Sequence, residues 1–501
     1  MPLAIAYSRG SSGVHAPLIT VEVHLSNGLP GLNIVGLAEA AVKESKDRVR
    51  SAIINSGFEF PNQRITINLA PADLPKEGGR FDLAIALGIL AASQQIPSHT
   101  LHTYEFLGEL SLSGGLRSVK GILPAALACR ESQRILMLPA NNLQEAQLIH
   151  HPALLAARDL TTVCDHLCDK QPIFPAEPAA ISTELTFAAD FSDVHGQFQA
   201  KRALEIAATG AHNVIMLGPP GTGKSMLASR LPSILPPLTE QQAQETAIIA
   251  SLCQKPFNAQ QWSHPPFRSP HHTASAIALV GGGKFPRPGE ISLAHNGTLF
   301  LDELPEFDRK VLEVLREPME TGMVSISRAQ QQAEFPARFQ LIAAMNPCPC
   351  GYWGDPSGRC RCTSEQISRY RQKISGPLLD RIDMHLEVNR QPVSYEDTTQ
   401  HEAETSATIR KRVIIARERA MTRQAKPNGW LTARETQTFC KLAPPCQQLL
   451  DQAQLKLGLS HRAYHRILRV ALSIADLAEA AKIDITHLSE AIGYRRLDRK
   501  L

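Results

Sequence analysis

The feature that most limits how this chain can fold is an octapeptide, Gly218-Pro219-Pro220-Gly221-Thr222-Gly223-Lys224-Ser225. It lies between an apolar run, Asn213–Leu217, and a helix-like segment, Met226–Leu231. Strand before and helix after is the setting in which such a glycine-rich turn holds phosphate. The glycines let backbone amides close around phosphate oxygens, and the helix N-terminus adds partial positive charge. Lys224 is then placed to bridge the β- and γ-phosphates of ATP, and Ser225 to hold magnesium. A glycine-rich turn without a ligand is the plainer alternative. The residues downstream decide between the two.

Thr298–Leu301 is a second apolar strand, and it ends in Asp302-Glu303. An apolar strand ending in two acids means little alone. Downstream of a phosphate loop it supplies a magnesium ligand, Asp302, and a carboxylate, Glu303, to orient and polarise the attacking water. A third strand, Gln340–Ala344, runs out at Met345-Asn346, where Asn346 would touch the γ-phosphate or the water. This arrangement resembles the sensor position of AAA+ proteins. Leu378-Leu379-Asp380-Arg381-Ile382-Asp383 resembles the segment that carries an arginine finger. Arg381 would reach a neighbouring subunit's nucleotide, the alternative being a surface salt bridge to Asp380 or Asp383. Arg462, at the start of a late helix, resembles a second sensor. His195 and Gln197, within Asp193–Gln197, resemble the lining of an adenine pocket.

At 501 residues the chain is too long for one core, since domains usually hold roughly 100–200 residues. We read four segments: residues 1–168, an N-terminal α/β domain; 169–189, a linker rich in Pro, Ala, Ser and Thr; 190–392, the α/β nucleotide-binding core; and 393–501, a helical lid. In the first segment Leu18–Leu25 and Arg64–Leu69 alternate as half-buried strands do. Ala38–Ser56 reads as a helix, Phe81–Ala92 as a buried helix, Phe106–Leu112 as a strand and Ile122–Arg130 as a helix. The net charge is only +4, so any affinity for nucleic acid must come from a local patch. No secretory signal and no apolar run long enough to span a bilayer stand out, which points to a cytoplasmic protein without a membrane partner. Ten cysteines in so long a chain do not read as a disulfide scaffold.

Further stretches narrow the reading. They are Arg268-Ser269-Pro270-His271-His272-Thr273, Val280-Gly281-Gly282-Gly283 with Pro288–Ser292, Gly297–Leu304, Asn346-Pro347-Cys348-Pro349-Cys350-Gly351 and Leu459–Leu477. Together they resemble the magnesium-chelatase-like AAA+ ATPases, specifically the YifB family, along essentially the whole chain. The resemblance implies a homohexameric ring, with ATP and magnesium as cofactors. It also implies a DNA helicase that drives branch migration while single-stranded DNA is integrated during natural transformation. Single-stranded and branched DNA, including recombinase-coated intermediates, would be its partners. Composition and spacing imply only an ATPase. In this clade two insertions point into the central pore. Here they carry Lys284, Phe285 and Arg287 in one and Arg328 in the other, and a glycine-rich loop with one aromatic suits a nucleic-acid strand. The basic run Arg410–Arg423 reads as a solvated helix face rather than a DNA stripe. A chelatase-type motor that remodels a protein or metal-insertion partner is the competing reading.

The first segment resembles the Lon-protease-like domain of this family, at Pro75–Arg80 and Gly108–Leu112. Active proteases of that fold use a serine–lysine dyad. Here Arg80 stands where the serine would be and Leu123 where the lysine would be, with Lys120 three residues earlier, so no peptidase activity is expected. Cys348, Cys350, Cys360 and Cys362 form two Cys-x-Cys pairs. Four thiolates suit tetrahedral zinc, although one-residue spacing is tighter than usual. Reduced thiols without metal and a redox pair remain alternatives.

Overall fold

The computed structural model describes residues 3–36, 40–74, 76, 78–151, 153–177, 185–253, 259–283, 286–328, 331–355, 358–390 and 404–495. The chain divides into two compact units. One is residues 1–182 with 244–262, and the other is residues 183–243 with 263–501. Among the described residues, no helix is long and apolar enough to cross a membrane.

In the first unit, Leu3–Arg9, Leu18–Ser26, Arg64–Ala70 and Gly31–Val35 form one sheet in that order. The first two pairings are antiparallel and the last is parallel. Burial alternates along Leu18–Ser26, as its sequence predicts, because one face of the sheet covers a helix. That helix, Asp82–Ala92, is buried along its whole length. A Cβ at Gly88 would stand 2.6 Å from Val23 Cγ2, so glycine sets how closely helix and sheet approach. The helix expected over Ala38–Ser56 runs Ala40–Asn55, and that over Ile122–Arg130 runs Ile122–Glu131.

The strand expected over Phe106–Leu112 is two short strands. Tyr104–Phe106 joins a parallel sheet with Ile135–Pro139 and Leu154–Ala157, whereas Glu109–Leu110 pairs with Leu116–Arg117. The break falls at Gly108, whose N–H donates to Arg80 O at 3.1 Å and whose carbonyl accepts from Leu83 N at 3.1 Å. Bonds to the buried helix and the turn before it replace a ladder bond at that point.

The second unit is built on a five-stranded parallel sheet. Its order is Phe267–Arg268, Thr298–Leu301, Gln340–Met345, Val214–Leu217 and Met384–Glu387. The three central strands are wholly buried, which is why their sequences are continuous apolar runs rather than alternating ones. In an open sheet of this kind ligands gather beyond the carboxyl ends of the strands. Strand Val214–Leu217 leads into Gly218, and the two strands beside it on one side lead into Asn346 and Asp302.

The helical tail, Ser406–Gln424, Ala433–Phe439, Pro444–Leu457, His461–Leu477 and Ile485–Gly493, shares one hydrophobic core with this sheet. Ile409, Val413, Ile467 and Ala471 pack in the same cluster as Val214, Ile342 and Met384. The basic run on the first tail helix is only in part a solvated face: Lys411 and Arg412 are exposed, while Arg410, Arg417, Arg419 and Arg423 are partly covered. Arg417 Nε donates to Thr209 O at 2.6 Å, Arg410 Nη1 to Ser233 O at 3.0 Å, and Arg412 pairs with Glu205 at 2.7 Å. Arg423 grips the buried Asp476 through two contacts of 2.8 Å. Arg410, Arg412 and Arg417 tie the helix to the nucleotide-binding core, and Arg423 ties it to the tail helix His461–Leu477.

Candidate nucleotide site

The phosphate loop is shaped by positions that admit only glycine. A Cβ on Gly218 would lie 2.2 Å from Val388 O, and Gly221 and Gly223 have φ of 76° and 90°. Thr222 Oγ1 donates to Pro219 O at 3.0 Å and closes the loop from within. Gln197, itself at φ 51°, donates through Nε2 to Asn389 O at 2.9 Å and to Thr222 O at 3.3 Å. It thereby pins the loop's flank. His195, two residues earlier, is exposed.

Lys224 opens the helix Lys224–Arg230 and is buried. Its ammonium donates to Gly218 O at 2.8 Å, Pro219 O at 2.9 Å and Asn346 Oδ1 at 3.2 Å. Burial lowers its pKa, while the charges of Asp302 and Glu303 oppose that shift. Ser225 Oγ donates to Asp302 Oδ2 at 2.6 Å. A hydroxyl and a carboxylate this close offer the hard oxygen ligands that magnesium takes, with room for water and phosphate to complete an octahedron. This donor set fits the metal expected from the sequence.

Glu303 has φ 51°, the left-handed region that costs a side-chain-bearing residue energy and is retained mostly where geometry matters. Its N–H donates to Asp302 Oδ1 at 2.9 Å, and its half-exposed carboxylate lies 3.5 Å from His272 Nδ1. The His272 ring sits 4.1 Å from that of His271. Sequence reading quoted this His-His pair but gave it no part in the site. The contact joins chain segments that only the folded sheet brings together. Nearby, Arg268 and Glu290 make a bidentate pair at 2.5 and 2.7 Å, which fixes the segment leading into the histidines.

Lys224, Ser225, Asp302 and Asn346 therefore converge through direct hydrogen bonds, and Glu303 adjoins them. The other sequence candidates stand differently. Arg381 is only 6% exposed, and its Nη2 meets Glu320 Oε1 at 2.5 Å while Nη1 donates to Pro377 O at 2.7 Å. Its partner is neither of the acids beside it in sequence, and its Nε is buried with no acceptor among the described residues. Arg462 is exposed on the first turn of His461–Leu477, whereas Arg466, one turn on, is paired with the buried Asp383. Arg287 is exposed in a short hairpin, Gly281–Gly282 with Arg287–Pro288. Lys284 and Phe285 lie outside the described residues. Arg328 ends the strand Met323–Arg328, paired with Gln331–Pro336.

Three family models match consecutive stretches. They are magnesium chelatase, subunit ChlI, over residues 190–396; subunit ChlI of Mg-chelatase over 21–142; and the magnesium chelatase subunit ChlI C-terminal region over 403–495. The chain is 51% identical to the competence protein ComM of Haemophilus influenzae across 100% of its length and 99% of that protein. The chain belongs to the ComM–YifB family of magnesium-chelatase-like AAA+ proteins. It is likewise 51% identical to the uncharacterized protein YifB of Escherichia coli, over 100% of the chain and 98% of that protein. Likeness to the magnesium-chelatase 38 kDa subunit of Cereibacter sphaeroides is weaker, 27% over 31% of the chain and 52% of that subunit. Membership of the ComM–YifB family agrees with the mixed α/β architecture, the parallel sheet and the helical tail.

Proposed function

We propose that this chain is an ATP-hydrolysing DNA translocase of the ComM–YifB family. It assembles as a hexameric ring and drives branch migration while single-stranded DNA is integrated during natural transformation. In this reading Lys224 neutralises the β- and γ-phosphates, Ser225 and Asp302 hold magnesium, and Glu303 orients the attacking water. Asn346 touches the γ-phosphate or the attacking water. Magnesium, when bound, supplies charge neutralisation at the phosphates. Arg381 leaves Glu320 to reach the neighbouring subunit, a step favoured by the unsatisfied Nε of its inward position. Arg462 senses nucleotide from the tail, and Arg287, Arg328, Lys284 and Phe285 are the candidate contacts to DNA.

The observation that carries the ATPase part is the 2.6 Å bond from Ser225 to Asp302 beside a lysine that bridges to Asn346. The DNA part is supported by likeness along the entire chain to a protein named for competence. The test is ATP-driven branch migration on a labelled three-stranded DNA junction, with Glu303→Gln as control. Displacement by the wild type alone is expected. Hydrolysis that ignores DNA, with no displacement, would instead favour a chelatase-type motor acting on a protein.

A further inference from the structure

The sulfur atoms of Cys348, Cys350, Cys360 and Cys362 all lie within 4.8 Å of one another. Cys348 to Cys350 is 3.3 Å, Cys348 to Cys360 is 3.8 Å and Cys350 to Cys360 is 3.7 Å. A zinc ion at the usual Zn–S length of about 2.3 Å holds its four sulfurs at the corners of a tetrahedron with edges of about 3.8 Å. A disulfide would need about 2.05 Å, and all four cysteines are free. Backbone amides also point at the sulfurs. Trp353 N donates to Cys348 Sγ at 3.3 Å, and the amides of Tyr352 and Arg361 bond Cys350.

The cluster is built onto the nucleotide site. It begins two residues after Asn346, and Gly351 N donates to Cys348 O at 2.9 Å to close the first turn. Gly351 has φ 84°, and a Cβ there would meet Pro220 Cδ of the phosphate loop at 2.7 Å. At the other end, Thr363 caps the helix Ser364–Arg371 directly after Cys362. The helix's last residue reaches back, donating from Arg371 Nε and Nη2 to Pro347 O at 3.2 Å each. The Arg371 guanidinium also lies 4.4 Å from the centre of the Trp353 ring.

The geometry points to a structural zinc site formed by Cys348, Cys350, Cys360 and Cys362, whose task is to hold Asn346 and Pro220 in fixed relation. Zinc rather than magnesium or calcium follows from four soft sulfur ligands gathered within 4.8 Å of one another. With no open coordination position, the ion does no chemistry of its own. The site itself stands apart from the proposed function. Its effect on turnover rests on the ATPase reading.

The full-length protein, purified without chelator, is expected to carry one zinc per chain by elemental analysis, and Cys360→Ser/Cys362→Ser to carry none. Replacement by cobalt should give the visible absorption of a tetrahedral tetrathiolate ion. Wild-type protein with no metal and four thiols freely open to alkylation would overturn the site, as would iron in place of zinc. Removing zinc with a chelator should lower kcat about tenfold or more while ATP affinity changes little, because a small misplacement of a γ-phosphate contact is enough to slow transfer. Unchanged kcat after proven zinc loss would overturn the positioning role. A protein that holds zinc yet hydrolyses no ATP would sink the ATPase reading and leave the metal site standing.

Discussion

Lys224 in the second unit and Arg80 in the first are both buried cations beside a glycine-rich turn, and both donate to backbone carbonyls. Lys224 reaches Gly218 O and Pro219 O at 2.8 and 2.9 Å. Arg80 reaches Gly10 O at 2.9 Å and also bonds Lys120 O. What surrounds them differs. Lys224 also touches Asn346, feels the charges of Asp302 and Glu303, and stands at the carboxyl end of a parallel sheet, where ligands gather in sheets of this kind. Arg80 ties residues 10 and 120 to the turn before a fully buried helix. A buried cation acts on a ligand when acids and a second polar side chain converge with it. When it gathers carbonyls from distant segments it is a structural tie.

Arg381 tests that distinction most severely, because its inward pose looks structural while its sequence context looks catalytic. If it acts on a neighbour's nucleotide, Arg381→Ala binds ATP normally and loses turnover by roughly 10³–10⁵. Mixing it with Lys224→Ala should restore part of the activity. No recovery on mixing, together with a lowered melting temperature, would place Arg381 with Arg80. Lys224→Ala comes next. Losing one preorganised donor to phosphate costs roughly 10²–10³ in turnover, here with loss of ATP binding. Normal ATP affinity in that variant would refute the phosphate-loop role. Arg80→Met should do the reverse. It leaves carbonyls at residues 10 and 120 without a donor, at about 1–3 kcal/mol each. Denaturant unfolding of the first unit should then shift by roughly 3 kcal/mol while ATP affinity stays put. A silent Arg80→Met would remove the structural half of the comparison.

Most of the nucleotide site was legible because its parts are local. Gly218–Ser225, Asp302-Glu303 and Asn346 each follow an apolar strand, and parallel pairing then brings the strand ends together. What was not legible depends on long-range packing. Nothing near Arg381 in sequence signals Glu320, and nothing near Glu303 signals His272. The basic run Arg410–Arg423 looked solvated because composition does not reveal that residues 205, 209, 233 and 476 supply its partners. Phe106–Leu112 reads as one strand because its pattern is apolar throughout, yet hydrogen bonds at Gly108 divide it. The Cys-x-Cys spacing weakened a zinc reading, whereas the folded chain gathers all four sulfurs within 4.8 Å of one another.

The smallest effect concerns a neutral group that joins the sheet to the tail. His212 is fully buried, its Nε2 lies 2.7 Å from Ser473 Oγ, and its Nδ1 lies 3.9 Å from Asp383 Oδ2. Burial pushes its pKa down to about 4; Asp383 opposes the shift, while Arg469, Arg417 and Arg466 reinforce it. In the unfolded chain the same ring takes a proton near pH 6.5. As pH falls from 6.5 towards 4 the unfolded state therefore binds a proton that the folded state refuses, and stability declines. Between pH 7 and pH 5 this amounts to about 2 kcal/mol from this residue. His212→Gln, whose amide can still meet Ser473, should be less stable at pH 7 but lose less on acidification. The measurement is urea unfolding of both proteins at the two pH values, comparing the difference so that the remaining histidines cancel. Equal acid sensitivity would mean that His212 already accepts a proton in the folded protein. Asp383 would then be acting as its charged partner, rather than mainly as an anchor for Arg466 on the tail.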